Sequence, residues 1–168
     1  MKTGDLMNIT FQRLKDCNED YELLHNWVQK PYIYEWFEQR ILSYEEVKEK
    51  YQKKLQDNIQ ELFIIEVENK RIGFVQIYPY EEKFYDFDIF IGEEDYLFKG
   101  YGVSIIKELT KKIMNEYHAE SIIVRPFKRN ERAIHCYQKC GYQVINQYQG
   151  FDTLGKEEEI VVLSIERK

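Results

Sequence analysis

The sequence predicts an α/β fold in which helices pack on the faces of a mixed sheet, formed as one domain over residues 1–168. Runs with the helical period of 3.6 alternate with runs that have the strand period of 2, in the order β-α-α-β-β-β-α-β-α-β-β. The chain contains no internal repeat, low-complexity tract or linker rich in Pro, Gly and Ser. Its 168 residues suit a single domain with a substantial core.

The N-terminal third predicts one strand and two helices. The stretch "ITFQRL" (9–14) alternates apolar and polar residues, as a half-buried strand does. In "NEDYELLHNWVQK" (18–30), we expect Asn18 to cap a helix that Pro31 closes. The predicted buried face of this helix comprises Leu23, Leu24, Trp27 and Val28. "SYEEVKEKYQKKLQ" (43–56) predicts a second helix, in which Ser43 and Glu46 form a capping box.

The rest of the chain predicts six further strands and two further helices, and the last two strands form a closing pair. "ELFIIEVENKRIGFVQIYPY" contains two β-rich runs joined at "ENK", and "KFYDFDIFIG" (83–92) alternates as a third strand. A helix is expected from Gly100 to Tyr117, followed by the apolar strand "SIIVRPF". "NERAIHCYQKCGY" predicts a helix capped by Asn130 and stopped at Gly141. "YQVINQYQG" and "EEEIVVLSIER" predict a closing β pair.

Composition excludes several classes of partner. The net charge of −6 argues against nucleic acid and against an anionic membrane surface, and it is compatible with a cationic partner. Seven acids fall within residues 81–95, which by itself is typical of a solvated face. No stretch is long and apolar enough for a membrane span, and "MKTGDLMNITF" lacks the apolar region of a secretory signal, so we expect a cytoplasmic protein.

The sequence predicts no metal site. Cys17, Cys136 and Cys140 lack metal-ligand spacing, and we expect reduced, partly buried thiols. The histidines, His25, His118 and His135, are scattered over separate elements. The oligomeric state, monomer or homodimer, is left open by the sequence.

Gly100 and Gly102 open a predicted helix, where glycine is unfavourable. Two interpretations stand side by side. The turn can be a tight strand-to-helix connection, or it can hold a diphosphate, because unpaired N–H groups and the helix dipole favour an anion at this end. It is neither a Walker loop nor a dinucleotide fingerprint, since the third glycine of the latter is replaced by Ile105.

"RPFKRNERAIHCYQKCGY" resembles the GNAT acetyltransferases, which take acetyl groups from acetyl-CoA. The pattern N-x-R-A-I-x-x-Y-x-K-x-G-[FY] is matched here from Asn130 to Tyr142. The resemblance implies a GNAT fold with a mixed, mostly antiparallel sheet, and acetyl-CoA as co-substrate. It assigns donor binding to Ile91, Phe98, Lys99, Gly100, Tyr101, Gly102, Val103, Asn130, Ala133, Tyr137 and Lys139.

"FDIFIGEEDYLFKGYG" looks like a stretch of the aminoglycoside 6′-N-acetyltransferases. This resemblance implies a cationic small-molecule acceptor, the 6′-amine of an aminoglycoside antibiotic, and a role in resistance. It assigns acceptor binding to Trp36, Glu82, Asp86 and Asp88. Two positions depart from the pattern: Ile89 stands where those enzymes usually have glutamine, and Arg125 precedes Pro126 where they commonly carry an acid. An arginine there is expected to repel a cationic ring, by about a kcal/mol if partly buried.

Two residues are candidates for the chemistry. Asp88 lies mid-strand, where aspartate is disfavoured, and desolvation there would suit a general base; alternatively it lies on a solvent face together with Asp86. Tyr137 matches the family tyrosine that protonates or stabilises the leaving thiolate; alternatively it is a core residue of its helix. Asn130 can both cap its helix and contact the pantetheine arm of the donor.

Two other functions stay open at this stage. One keeps the donor and changes the acceptor to another small amine, a polyamine or a protein amine, which the Arg125 departure favours. The other is a module that binds coenzyme A without turnover, against which the presence of Asp88 and Tyr137 counts.

Overall fold

The computed structural model describes residues 7–168. Its strands are β1 (Ile9–Arg13), β2 (Glu61–Val67), β3 (Lys70–Glu81), β4 (Phe84–Ile91), β5 (Ser121–Val124), β6 (Gln143–Phe151) and β7 (Glu157–Glu166). Its helices are α1 (Asn18–Val28), α2 (Pro31–Tyr34), α3 (Tyr44–Asp57), α4 (Tyr101–Glu116) and α5 (Glu131–Lys139). The predicted order is confirmed, with two short additions: α2, and a 3-10 turn at Glu94–Tyr96.

The strands form one sheet in the order β1-β2-β3-β4-β5-β7-β6. All neighbours pair antiparallel except β4 and β5, which confirms the mixed, mostly antiparallel sheet. The hairpin predicted at "ENK" turns through Glu68 and Asn69, both of which have positive φ. Two such residues in succession are typical of the type I′ turn, whose twist matches that of antiparallel strands.

The parallel pair β4–β5 is short, and its strands separate. Only Phe84 and Tyr85 of β4 pair with β5, at Ser121 and Ile122. Beyond Tyr85, β4 continues to Ile91 with β3 alone as its partner. The two strands therefore leave an opening in the middle of the sheet.

Helices cover both faces of the sheet. On one face, α4 buries Ile105, Leu109 and Ile113 in a core that includes buried residues of five strands, β2 to β5 and β7. On the other face, α1 and α3 enclose a second core with Trp27 and Val47. Burial of apolar side chains on both faces explains why the central strands read as nearly continuous apolar runs.

Two of the three predicted helix caps are confirmed. Ser43 and Glu46 form the capping box of α3, and the side chain of Asn130 accepts a hydrogen bond from the backbone N–H of Ala133. The prediction for Asn18 was wrong, since the N-cap of α1 is Cys17 and its side chain makes no capping bond. The helix starts one residue earlier because the N–H of Tyr21 already bonds the carbonyl of Cys17.

The remaining general predictions concern cysteines, metals and membranes. The three cysteines are free and partly buried, as predicted. Residues 7–168 contain no group of His, Cys, Asp and Glu that could hold a metal ion. Over the same residues, no helix is long and apolar enough to cross a bilayer. The part of the N-terminal stretch that precedes Met7 lies outside the described residues.

Candidate active site

A cavity of about 120 Å³ lies where β4 and β5 separate. Phe87, Asp88 and Ile89 line it from β4, and Arg125, Pro126 and Phe127 from the segment after β5. Asn130, Ala133 and Tyr137 line it from the N-cap, the first turn and the last turn of α5, and Trp36 and Phe37 line it from the segment after α2. Both predicted catalytic residues therefore share one cavity.

Asp88 reaches the cavity from the middle of β4. The residue opposite it on β3 is Gln76, whose Nε2 donates to Asp88 Oδ2 over 2.9 Å. Burial raises the pKa of Asp88 above its ordinary value, and the hydrogen bond from Gln76 works against that rise. Asp88 does not lie on an open solvent face, and its carboxylate has the desolvated surroundings that suit a base.

Tyr137 lies on the buried side of α5, with 7% of its surface exposed. Its ring packs edge-on against Phe87 with the ring centroids 6.0 Å apart, and it lines the same cavity as Asp88. Burial, and then the charge of Asp88, raises the pKa of Tyr137 well above its ordinary value. The hydroxyl therefore stays protonated at neutral pH and can donate a hydrogen bond.

Arg125 forms an ion pair with Asp86. Asp86 is buried, and its other carboxylate oxygen accepts a hydrogen bond from the backbone N–H of Phe87 over 2.7 Å. Burial, and then the charge of Asp88, raises the pKa of Asp86 to about 7. The Arg125 guanidinium also lies 4.3 Å from the ring centroid of Tyr80. The expected repulsion of a cation by Arg125 is therefore reduced by a partner carboxylate that the sequence alone did not assign to it.

The predicted acceptor residues do not all meet. Trp36 and Asp88 line the cavity, whereas Asp86 is turned to Arg125. Glu82 lies in the exposed turn between β3 and β4, outside the lining residues, so the geometry gives no support to its predicted role.

Trp36 is held against the loop before α5. The Arg129 guanidinium lies 4.6 Å from the Trp36 ring centroid, and Arg129 Nε donates to Glu158 Oε1 over 2.8 Å. The charge of Arg129 is thus shared between an aromatic face and a mostly buried carboxylate. This arrangement fixes one wall of the cavity.

The glycine corner has an open, positively polarised surface. Gly100 is the N-cap of α4 with φ +86°, and a Cβ placed there would meet no atom within 4 Å. At Gly102 a Cβ would lie 3.2 Å from Cys136 Sγ, so this glycine permits close packing of α4 on α5. The backbone N–H groups of the first turn of a 16-residue helix are thus presented at an unobstructed surface. That surface suits a diphosphate.

The other predicted donor-site residues surround this corner or the cavity. Phe98 is exposed, has φ +61°, and lies under the Arg132 guanidinium at 3.7 Å. Lys99 and Lys139 are exposed cations, and the Tyr101 ring packs against Tyr96. The carbonyl oxygen of Val103 accepts a hydrogen bond from Cys140 Sγ. Ile91 is the last residue of β4 and lies opposite Gly73 of β3. Asn130 and Ala133 line the cavity itself.

Sequence reasoning did not identify Gln76, Lys54 or Phe37. Gln76 lies opposite Asp88 in the β3–β4 register, and Lys54 of α3 donates a hydrogen bond to Gln76. A polar residue in the middle of the apolar run "IGFVQIY" was the available signal for Gln76.

Comparison with known proteins decides the family. Residues 16–149 match the model of the acetyltransferase (GNAT) domain. The chain belongs to the GNAT acetyltransferase family. The matched region of this acetyltransferase includes both the glycine corner and the residues that line the cavity. The predicted family and fold are confirmed.

Relatives of this acetyltransferase act on two kinds of amine. It is 28% identical over 127 residues to a spermidine N(1)-acetyltransferase of Vibrio cholerae, a match covering 73% of each chain. It is 25% identical over 140 residues to an aminoglycoside N(6′)-acetyltransferase type 1 of Klebsiella pneumoniae, covering 74% of this chain and 69% of the relative.

Solved structures share the fold of this acetyltransferase. An aminoglycoside acetyltransferase AAC(6′)-Ib in complex with coenzyme A has a TM-score of 0.83 at 21% identity, with 95% of each chain covered. A spermidine N-acetyltransferase from Vibrio cholerae, in complex with coenzyme A and spermine, has a TM-score of 0.81 at 21% identity, covering 94% of this chain and 95% of the other. At these identities the likeness concerns the fold alone.

Proposed function

We propose that this acetyltransferase moves the acetyl group of acetyl-CoA to a primary amine of a cationic small molecule, the 6′-amine of an aminoglycoside. The observation that carries the proposal is the meeting of Asp88 and Tyr137 in one cavity at the point where β4 and β5 separate. An amine acceptor needs a base near its nitrogen, and a thiolate leaving group needs a proton donor. The two residues supply one of each.

The donor fits the glycine corner. Acetyl-CoA, when bound, supplies an acetyl thioester and carries a diphosphate. The N–H groups at the start of α4 would bind that diphosphate, and the open space beside Gly100 leaves room for its oxygens. Exposed Lys99, Arg132 and Lys139 add positive charge around the same end of α4 and α5.

Each residue then has one task. Asp88 accepts the proton that the amine nitrogen loses as it bonds to the acetyl carbon. Tyr137 donates a hydrogen bond, and then its proton, to the sulfur as the carbon–sulfur bond breaks. Phe87, Phe127 and Trp36 surround the cavity with rings, which excludes water and strengthens both interactions.

The acceptor is tested with a panel of amines. Purified protein is assayed for thiol release from acetyl-CoA with kanamycin, tobramycin or spermidine as acceptor. We expect turnover with at least one of the two aminoglycosides. Acetyl-CoA binding without thiol release in the presence of any amine would instead support a module without turnover.

A linear polyamine is the second candidate acceptor. The size of the cavity favours it, since about 120 Å³ with aromatic walls suits a thin aliphatic amine. Faster turnover of spermidine than of both aminoglycosides in the same panel would establish this alternative.

Replacing Tyr137 with phenylalanine is expected to lower kcat by about 10- to 100-fold, the loss of one hydrogen bond to a developing anion. Because the ring packing against Phe87 is retained, the affinity for acetyl-CoA should stay close to that of the unmodified protein. Steady-state kinetics and calorimetric titration measure the two quantities. An unchanged kcat would assign Tyr137 to packing alone.

A further inference from the structure

A chain of polar contacts reaches Asp88 from the side of the sheet covered by α3. Lys54 Nζ donates to Gln76 Oε1 over 2.7 Å. Gln76 Nε2 donates to Asp88 Oδ2 over 2.9 Å. These two hydrogen bonds thus connect α3, β3 and β4.

The chemistry of the two ends permits only one orientation of the Gln76 amide. A lysine ammonium has donors and no acceptor, and an ionised carboxylate has acceptors and no donor. The amide oxygen must therefore face Lys54, and the amide nitrogen must face Asp88. A hydrogen bond thereby holds one oxygen of the Asp88 carboxylate in place.

Packing holds both donors in place. Gln76 lies directly opposite Asp88 in the β3–β4 register. Tyr51, one turn before Lys54 on α3, packs edge-on against Phe74 of β3 with the ring centroids 5.3 Å apart. Lys54 Nζ lies 5.5 Å from the centroid of the Tyr51 ring, in a cation–π contact.

The other charged side chains near Asp88 form ion pairs with partners of their own. Lys50 pairs with Glu38, and Arg125 pairs with Asp86. Among the ion pairs of residues 7–168, none involves Asp88 directly. A direct cation would lower the pKa of a carboxylate by about 1 to 3 units and make it a weaker base. A cation one amide away attracts the carboxylate less and still orients it.

Other titratable groups also face Asp88. They are Lys50, Tyr51 and Lys54 of α3, Tyr78 of β3, Asp86 of β4 and Tyr137 of α5, together with Glu38 and Arg125, which line cavities that Asp88 also lines. Burial raises the pKa of Asp88, and Gln76, Lys54 and Lys50 oppose the rise in that order. Burial, and then the charge of Lys50, lowers the pKa of Lys54 to about 8, so Lys54 is mostly charged at pH 7.

We propose that Lys54 and Gln76 are positioning residues, which hold the Asp88 carboxylate ionised and aimed at the acceptor amine. This inference rests on the proposed function, because it assigns them a task only if Asp88 is the base. It adds to that function two residues behind the base, Lys54 of α3 and Gln76 of β3, which no sequence motif indicated.

The test is the pH profile of Lys54→Met, measured on one acceptor so that the titration of the amine itself is the same for every variant. Loss of the cation should move the acidic limb of kcat upward by about one pH unit, which corresponds to about tenfold less ionised Asp88 below that limb. Activity at pH 9 should approach that of the unmodified protein. A purely structural effect would lower kcat by the same factor at every pH.

Three variants complete the design. Lys54→Arg keeps a cationic donor and should restore the limb, and Gln76→Leu should shift it as Lys54→Met does. Lys53→Met removes a neighbouring lysine that pairs with Asp57 on the exposed side of α3, and it should leave the profile unchanged. Thermal unfolding of each variant separates misfolding from a change in the profile.

The outcomes distinguish this inference from the proposed function. If Asp88→Asn abolishes turnover while Lys54→Met and Gln76→Leu keep the normal limb, the positioning role is wrong and the base remains. If Asp88→Asn retains turnover, the base assignment fails first. The inference is supported if Lys54→Met moves the acidic limb of the kcat–pH profile upward and Lys54→Arg restores it.

Discussion

Replacing Asp88 with asparagine is expected to lower kcat/KM for amine acetylation by about 10²- to 10⁴-fold, the usual contribution of a positioned general base. Asparagine has nearly the same shape, and its side-chain oxygen can still accept the hydrogen bond from Gln76. It cannot accept a proton from an amine. The variant therefore removes the chemistry of Asp88 and keeps most of its packing.

The same substitution should leave the donor site intact. Asp88 reaches the cavity from the middle of β4, whereas the diphosphate is expected at the start of α4. Calorimetric titration of acetyl-CoA should therefore give the same affinity for both proteins. Asp57→Asn, at the exposed end of α3, is the matched control and should retain full activity. A loss below about threefold for Asp88→Asn would contradict the assignment.

Replacing Gly100 with valine is expected to weaken acetyl-CoA binding by about 10²-fold. Gly100 has φ +86°, where a β-branched residue is strained, so the corner must rearrange and its N–H groups must turn. Two or more hydrogen bonds to a charged group would be lost or distorted, each worth about 1.5 to 3 kcal/mol. The effect should appear in the dissociation constant of acetyl-CoA measured by calorimetry.

Gly155→Val provides the matched control for this prediction. Gly155 also has positive φ, at +81°, and a Cβ there would also meet no atom within 4 Å. It lies in the turn between β6 and β7, so the backbone strain is comparable and the location differs. If both variants bound acetyl-CoA as the unmodified protein does, the N–H groups beside Gly100 would have no part in donor binding.

Much of the fold was predictable from local patterns. Periodicity gave the strand and helix order, and the Ser43–Glu46 pair located the start of α3 correctly. These features depend on residues within one turn or one strand of each other. The exception is Asn18, where the backbone carbonyl of Cys17 starts the helix without a side-chain cap.

The environment of the site was less predictable, since it depends on contacts distant in sequence. The Asp86–Arg125 pair forms because β5 runs parallel to β4, which places residues 39 positions apart side by side. Lys54 meets Gln76 across 22 positions through the packing of α3 on the sheet. A sequence pattern identifies Asp88 as an unusual strand residue, but only the strand register shows which groups surround it.

A crystal structure of the protein with acetyl-CoA bound tests the central claim most directly. We predict diphosphate oxygens within about 2.7 to 3.2 Å of the backbone nitrogens at the start of α4, beside Gly100. The thioester carbon should lie in the cavity between Asp88 and Tyr137. Density for the donor at another surface, with the corner at Gly100 empty, would contradict the proposed donor site and the mechanism built on it.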